Sequence, residues 1–201
     1  MITLQNVDRH YGEKSVIKDL SFTFPDKGCF ALMGASGSGK TTLLRLLAEL
    51  DRPDGGSIAS THKKTTVAFQ EPRLFSWLTC EENINIVLSK ENKSSDLATE
   101  WLRGFELESV ANSYPNALSG GMQQRLSLAR ALAFGGDLVL LDEPFAALDK
   151  ELKARIAPHI KRACENSLLI FVTHDEADAR LLDATILRLT DDKPTTLVTK
   201  P

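Results

Sequence analysis

The 201-residue chain is poor in several features that mark other protein classes. It has three cysteines. Cys29, Cys80 and Cys164 are far apart, odd in number and form no C-x-x-C pair. That excludes a disulfide framework and points to free thiols in a reducing compartment. The four histidines are scattered without zinc spacing. Basic residues are not in excess. The 24 Lys and Arg against 27 Asp and Glu leave a net charge of −3, so no basic footprint argues for nucleic acid. No apolar run approaches the roughly 18 residues that a membrane helix needs. The opening Met1-Ile2-Thr3-Leu4-Gln5 has neither the basic nor the apolar region of a signal peptide. The expectation is a cytoplasmic chain that reaches a membrane only through a partner.

What the chain does have is ordinary globular material, 42% hydrophobic and 25% charged, enough for one domain with a real core. Residues 2–7 and 15–24 read as strands. Pro25-Asp26-Lys27-Gly28 reads as a turn, and Cys29-Phe30-Ala31-Leu32-Met33 as a strand buried on both faces. Leucines at 43, 44, 46, 47 and 50 follow a helical period. Arg52-Pro53-Asp54-Gly55-Gly56 breaks that helix, and Val67-Ala68-Phe69 is a further strand ending at Gln70. From about 72 to 134 strand signals vanish and helix-compatible segments dominate. Strands return at 138–141 and 167–173. Helices are expected over 150–164, interrupted or bent near Pro158, and over 175–182. The tail around 186–189 and 196–198 is compatible with two edge strands. Strands alternating with helices predict an α/β fold with a largely parallel sheet covered on both faces. The core spans about 1–71 and 135–201, and a helical lobe is inserted over about 72–134.

Gly34-Ala35-Ser36-Gly37-Ser38-Gly39-Lys40-Thr41 matches the pattern GxxxxGK[ST]. Glycines let backbone N–H groups converge on phosphate oxygens, and the helix that follows presents its positive end to anions. Lys40 is placed to neutralise β- and γ-phosphate charge, and the Thr41 hydroxyl to ligate Mg²⁺. The alternative, a chance glycine turn, is opposed by the apolar strand before the loop and the leucine-rich helix after it.

Leu138-Val139-Leu140-Leu141-Asp142-Glu143-Pro144 is an apolar strand ending in two acids. Acids there are costly unless they act at the carboxyl end of the sheet, where α/β sites lie. Asp142 is the candidate for orienting Mg²⁺ and Glu143 for polarising an attacking water. Alone, the pair has a second, less favoured reading as a solvated cap of the next helix.

Leu118-Ser119-Gly120-Gly121-Met122 followed by Gln123-Gln124-Arg125 has no role in a self-contained ATPase. It resembles the signature motif of ATP-binding-cassette (ABC) proteins, and with the two motifs above the resemblance covers nearly the whole chain. A lone Ser-Gly-Gly is also a common serine-capped helix start. The resemblance implies the P-loop NTPase ABC ATPase fold: a mainly parallel sheet, an antiparallel β arm and an inserted helical lobe. It implies ATP and Mg²⁺ as ligands and two ATP sites in a head-to-tail dimer with a second copy or a paralogue. Ser119 and the Gly120 and Gly121 backbones would then contact the γ-phosphate held by the partner. The fifth signature position is Met122, where the family usually carries Gln.

By position, Gln70 resembles the glutamine that meets Mg²⁺ and the nucleophilic water. Ala147-Leu148-Asp149 resembles the segment that crosses the dimer interface. His174 resembles the histidine that supports the γ-phosphate, although a lone histidine there is more often structural. Tyr11 resembles the aromatic that stacks on adenine, and Thr42 completes the nucleotide-binding loop.

Residues 69–79 with Glu82-Asn83-Ile84 look like the segment of importer ATPases of the nitrate, sulfonate and taurine group. Such a subunit sits on the inner face of the cell membrane through transmembrane permease subunits and serves a solute-binding protein indirectly. Phe75, Trp77 and Leu78 are candidates to line the permease socket, or else belong to the lobe's own core. Cys80 is expected to be a handle for cross-linking in this stretch. Rival readings are an exporter subunit and a regulatory module without hydrolysis. A coiled-coil chromosome or repair ATPase lacks room between the motifs, and a tandem ribosome-acting protein would need each motif twice.

Overall fold

A computed structural model of the chain describes residues 1–88, 95–146, 148–190 and 195–199. The strands form two sheets. A three-stranded antiparallel sheet has the order β2-β1-β4, built from β1 (Ile2–Tyr11), β2 (Lys14–Phe24) and β4 (Gly55–Ser60). A six-stranded sheet has the order β5-β6-β7-β3-β8-β9. Its strands are β3 (Gly28–Met33), β5 (Thr65–Ala68), β6 (Leu138–Asp142), β7 (Leu168–Val172), β8 (Thr185–Leu189) and β9 (Leu197–Thr199). All its pairings are parallel except β8 with β9.

Period-2 alternation explains why the six-stranded sheet sits in the middle. Every residue of β6 and β7 is buried. Leu138, Leu140, Leu168, Ile170 and Val172 point into one hydrophobic cluster, shared with β1, β2 and helix α1 (Lys40–Leu47). Val139, Leu141, Leu169 and Phe171 point into a second cluster, shared with α4 (Gly120–Phe134), α5 (Lys150–Ala163) and α6 (Glu176–Leu181). Each such side chain contributes about 1.5–3 kcal/mol by leaving water, so the two faces lock the strand register. Helix α1 buries Leu43, Leu44, Leu46 and Leu47 against the first cluster.

Between β5 and β6 the described regular elements are helical: α2 (Cys80–Asn85), α3 (Ser95–Gly104), two short 3₁₀ turns and α4. Helix α2 starts at a reciprocal cap. The Thr79 side chain accepts from the Glu82 amide and the Glu82 carboxylate accepts from the Thr79 amide at 2.8 Å.

Three local expectations change. Strand β4 begins at Gly55, inside the stretch read only as a helix break. It has no buried residue and no apolar–polar alternation, and it opens on two glycines, so its sequence hides it; it is held by pairing with β1. Helix α5 runs unbroken through Pro158, because its buried stripe of Ile156, Ala157 and Ile160 outweighs the one missing N–H. Strand β8 is not an edge: it lies between β3 and β9.

The topology decides where chemistry can occur. β5, β6, β7 and β3 are parallel neighbours, so their carboxyl ends share one edge. Gln70, Asp142 and Glu143, His174 and the Gly34–Thr41 loop all follow those ends.

Candidate functional site

The loop after β3 is shaped by its glycines. Gly34 and Gly39 have φ of 153° and 101°, a region that side chains disfavour. A Cβ on Gly34 would lie 2.7 Å from the Leu189 carbonyl oxygen, and one on Gly39 3.0 Å from Val16 Cγ1. Lys40 is buried, and its Nζ donates across the loop to the carbonyls of Gly34 at 3.0 Å and Ala35 at 2.8 Å. The buried Ser38 hydroxyl has no hydrogen-bond partner among the described residues. A buried ammonium, an unsatisfied buried hydroxyl and a helix start make a set that fits phosphate.

Next to the loop, Asp142 ends β6 and is buried, with the Thr41 hydroxyl hydrogen-bonded to it. Burial pushes its carboxyl above the ordinary value; Glu143 adds to the push, while Thr41, Lys40 and His174 oppose it. A buried carboxylate beside a hydroxyl suits a hard cation that takes its remaining ligands from water and phosphate. Among the described residues no group of three or more His, Cys, Asp or Glu forms a self-sufficient metal cage. The Thr41 hydroxyl and the Asp142 carboxylate are the donor pair that fits a partly hydrated Mg²⁺.

Glu143 turns the chain sharply at φ 51°, a strain of about 1–3 kcal/mol for a residue with a side chain. Its amide donates to the Val172 carbonyl at 3.2 Å, which ties the turn to β7. Its carboxylate meets two other candidates: His174 Nε2 lies 3.0 Å from Oε1, and Gln70 Nε2 donates to Oε2 at 3.4 Å.

The place of His174 is set by residues that sequence reasoning missed. The Thr173 hydroxyl donates to Asp178 at 2.8 Å and accepts from the Asp175 amide at 3.1 Å. Asp178 also accepts from Lys153 of α5 at 2.7 Å. No local motif announces this buried group, since its members lie on three separate elements.

A cleft of about 460 Å³ is lined by Tyr11, Ser36, Gly37, Gly39, Lys40, Thr41, Thr42, Gln70, Glu143 and His174. An adjoining cavity brings Asp142 next to Thr41 and Gln70. Gly34, Ala35 and Ser38 shape the loop without lining this cleft.

The remaining candidates lie elsewhere. Ser119 caps α4 and accepts from the Met122 amide at 3.3 Å; it is exposed, as is Gly120, and Gly121 is half-buried. None of the three lines the cleft. Asp149 caps α5 by accepting from the Leu152 amide at 2.9 Å, while Ala147 lies outside the described residues. Trp77 is 70% exposed, with Phe75 half-buried and packed edge-on to it at 5.4 Å. Leu78 is half-buried. Cys80 is fully buried and its thiol is pushed up by burial, so it is no handle for cross-linking. The stretch is held by buried Asn83, which sequence reasoning names only as part of the importer-like segment and gives no role. Its side-chain amide donates to the carbonyls of Phe75, Leu78 and Thr79 at 3.1, 3.0 and 2.9 Å. Among the described residues no helix is long and apolar enough to cross a membrane.

Residues 17–146 match the family model described as "ABC transporter". An aliphatic sulfonates import ATP-binding protein, SsuB, from Granulibacter bethesdensis is 41% identical over 184 residues, which cover 90% of this chain and 76% of the relative. The chain belongs to the ABC transporter family. A sulfate/thiosulfate import ATP-binding protein, CysA, from Synechocystis sp. is 38% identical over 194 residues, covering 89% of this chain and 55% of that protein. The chain thus spans about half the length of the sulfate relative. Its fold is similar to a dimeric, post-hydrolysis ATP-binding cassette bound to ADP and Pi. The TM-score is 0.86 at 30% identity, with 100% of this chain and 98% of that one covered.

Met122 stands where the resemblance leads to an expectation of Gln. Met122 is half-buried and packs against the hydrophobic cluster beneath α4, where an apolar side chain gains contacts that an amide would not. Polar tethering of the motif falls to its neighbour: Gln123 Nε2 donates to the Pro115 carbonyl at 2.9 Å and the Leu118 carbonyl at 3.3 Å.

Proposed function

We propose that this chain is the ATP-binding and ATP-hydrolysing subunit of an ABC importer of the nitrate, sulfonate and taurine group. The observation that carries the reading is the meeting of Glu143 with both His174 and Gln70 in the same cleft as Lys40 and Thr41. That supports a positioned base next to an anion cradle. The import-protein names of the relatives support the direction of transport.

In this reading the loop N–H groups and Lys40 hold the β- and γ-phosphates, and the positive end of α1 faces them. Thr41 and Asp142, with Gln70, would hold Mg²⁺, which neutralises phosphate charge when bound. A water oxygen attacks the γ-phosphorus, its proton passes to a Glu143 carboxylate oxygen, and the β–γ bridging oxygen leaves with ADP, giving inorganic phosphate. His174 sits against Glu143 and supports both the carboxylate and the γ-phosphate. Gln70 senses the same carboxylate from the end of β5.

Ser119, Gly120 and Gly121 act in trans, closing on ATP held by a second copy or a paralogue, and Asp149 lies at that interface. The core at about 1–71 and 135–201 carries the cradle. The lobe at about 72–134 carries the signature and receives the permease around Trp77. The subunit is thereby peripheral on the inner membrane face, and a solute-binding protein acts through the permease.

Measuring ATP binding and phosphate release by the purified chain, with and without Mg²⁺, tests the reading. Mg²⁺-dependent release is expected. Failure to bind ATP at millimolar concentration overturns it.

A further inference from the structure

Tyr11 ends β1 and pairs with Lys14 across the turn at Gly12 and Glu13. An aromatic at a hairpin tip, 46% exposed, has no core to fix its rotamer. Here it is fixed from another element. The Tyr11 hydroxyl donates to Asp51 Oδ2 at 2.9 Å, and the Arg9 guanidinium lies 4.7 Å from the ring centroid. Arg9 bridges two carboxylates, reaching Asp51 at 2.8 Å and Asp54 at 3.0 Å. Asp54 also accepts from the His10 amide at 2.6 Å. Asp51 and Asp54 belong to the turn that follows α1, the helix that the phosphate loop opens. Asp51 and Arg9 are both well packed, with side chains 16% and 18% exposed.

Burial works against ionisation of Asp51. The Tyr11 hydroxyl, the Arg52 amide and the charges of Arg9 and Arg45 outweigh it and hold the carboxyl below its ordinary value. Asp51 is therefore a carboxylate at neutral pH. A hydroxyl donating to an anion enriches its ring in electrons, and a cation takes one face of that ring. Tyr11 also lines the cleft that contains Lys40 and Thr41. The lining of this cleft thus combines a fixed π-surface with an anion cradle.

We propose that Asp51 is a positioning residue for nucleotide: by holding the Tyr11 hydroxyl and Arg9, it sets the Tyr11 ring as a platform on which the purine base stacks. This rests on the ATP reading above. Stacking of a base on an aromatic ring corresponds to about 5- to 150-fold in affinity. Ordering one side chain in advance corresponds to about 2- to 10-fold.

The test compares ATP with inorganic tripolyphosphate, which has the phosphates and no base. Titrations use the native protein, Asp51→Ala, Asp51→Asn, Tyr11→Ala and the Tyr11→Ala/Asp51→Ala double variant. Asp51→Ala should weaken ATP binding about 2- to 10-fold and leave tripolyphosphate binding unchanged. Asp51→Asn, whose side-chain carbonyl still accepts the Tyr11 hydroxyl, should recover part of the loss. The double variant should bind ATP no worse than Tyr11→Ala alone, because Asp51 acts only through the ring. ATP binding by Asp51→Ala at the native level overturns the inference and leaves the ATP reading standing. Equal weakening of both ligands also overturns it, by making Asp51 a support of the phosphate loop. A native protein that binds neither ligand removes the ATP reading and the inference together.

Discussion

Two helix starts in this molecule look alike as sequence and differ in what surrounds them. At the start of α1, Lys40 reaches two loop carbonyls, Thr41 meets Asp142, and Glu143, Gln70 and His174 close around the same cleft. At the start of α4, Ser119 caps its own helix, Gly120 is bare, and none of the signature residues lines that cleft. The first is a site assembled within one chain. The second is a capped, exposed helix start outside the cleft, and in the function proposed above its complement is the cleft of another copy. That contrast predicts very different responses to mutation in the two regions.

The largest effect belongs to the cleft. Glu143→Gln keeps the shape of the side chain and removes the base. Turnover should fall about 10²–10⁴-fold with ATP affinity preserved, and near-native turnover would break the assignment. Gly34→Ala tests the loop itself. Its new Cβ meets the Leu189 carbonyl oxygen at 2.7 Å at a φ of 153°, so ATP binding should be lost and stability should drop by about 1–3 kcal/mol. Calorimetry showing native affinity would mean that the loop tolerates a side chain there.

Asp142→Asn sharpens the comparison through pH. Burial raises the Asp142 carboxyl, so the folded protein holds that proton more tightly than the unfolded chain does. The stability from this group is present below the ordinary aspartate range and is lost as pH climbs through the raised value. At pH 7.5 without nucleotide, Asp142→Asn should therefore melt above the native protein. The gain should close toward about pH 4, and the variant should lose Mg²⁺-dependent turnover. A lower melting temperature at pH 7.5 would contradict the cause assigned to the shift.

The smallest effect on the isolated chain is expected outside the cleft. Trp77 is 70% exposed, so Trp77→Ala should change stability by no more than about 0.5 kcal/mol and leave ATP affinity intact. Co-purification with permease subunits should weaken. Unfolding of the variant would place Trp77 in the lobe's own core.

Sequence showed the cleft well where its chemistry is local. The Gly34–Thr41 loop and the acids after Leu141 are continuous segments whose residue types leave few readings, and parallel order then brings Gln70 and His174 to them. It showed little where meaning depends on contact across the chain. Asp51 and Arg9 look like surface charges until they are seen paired with each other and both set against Tyr11. Thr173, Asp178 and Lys153 come together only through the packing of β7, α6 and α5. Asn83 reads as an ordinary polar helix residue, yet it is fully buried and holds the Phe75–Thr79 stretch. Strand β4 was hidden because it has no buried residue and no alternation, and its hydrogen bonds come from β1. The Thr79-x-x-Glu82 capping box is a local pattern with partners three residues apart, and sequence reasoning passed over it.

The most direct measurement of the shared-site account is the oligomeric state of hydrolysis-blocked protein. With ATP and Mg²⁺, Glu143→Gln should elute from size exclusion as a dimer with two bound ATP molecules, and without ATP as a monomer. Adding Ser119→Arg should return it to a monomer that still binds one ATP per chain. If the Glu143→Gln/Ser119→Arg protein dimerises with ATP as well as Glu143→Gln does, the signature helix does not close a partner's site and the account is wrong.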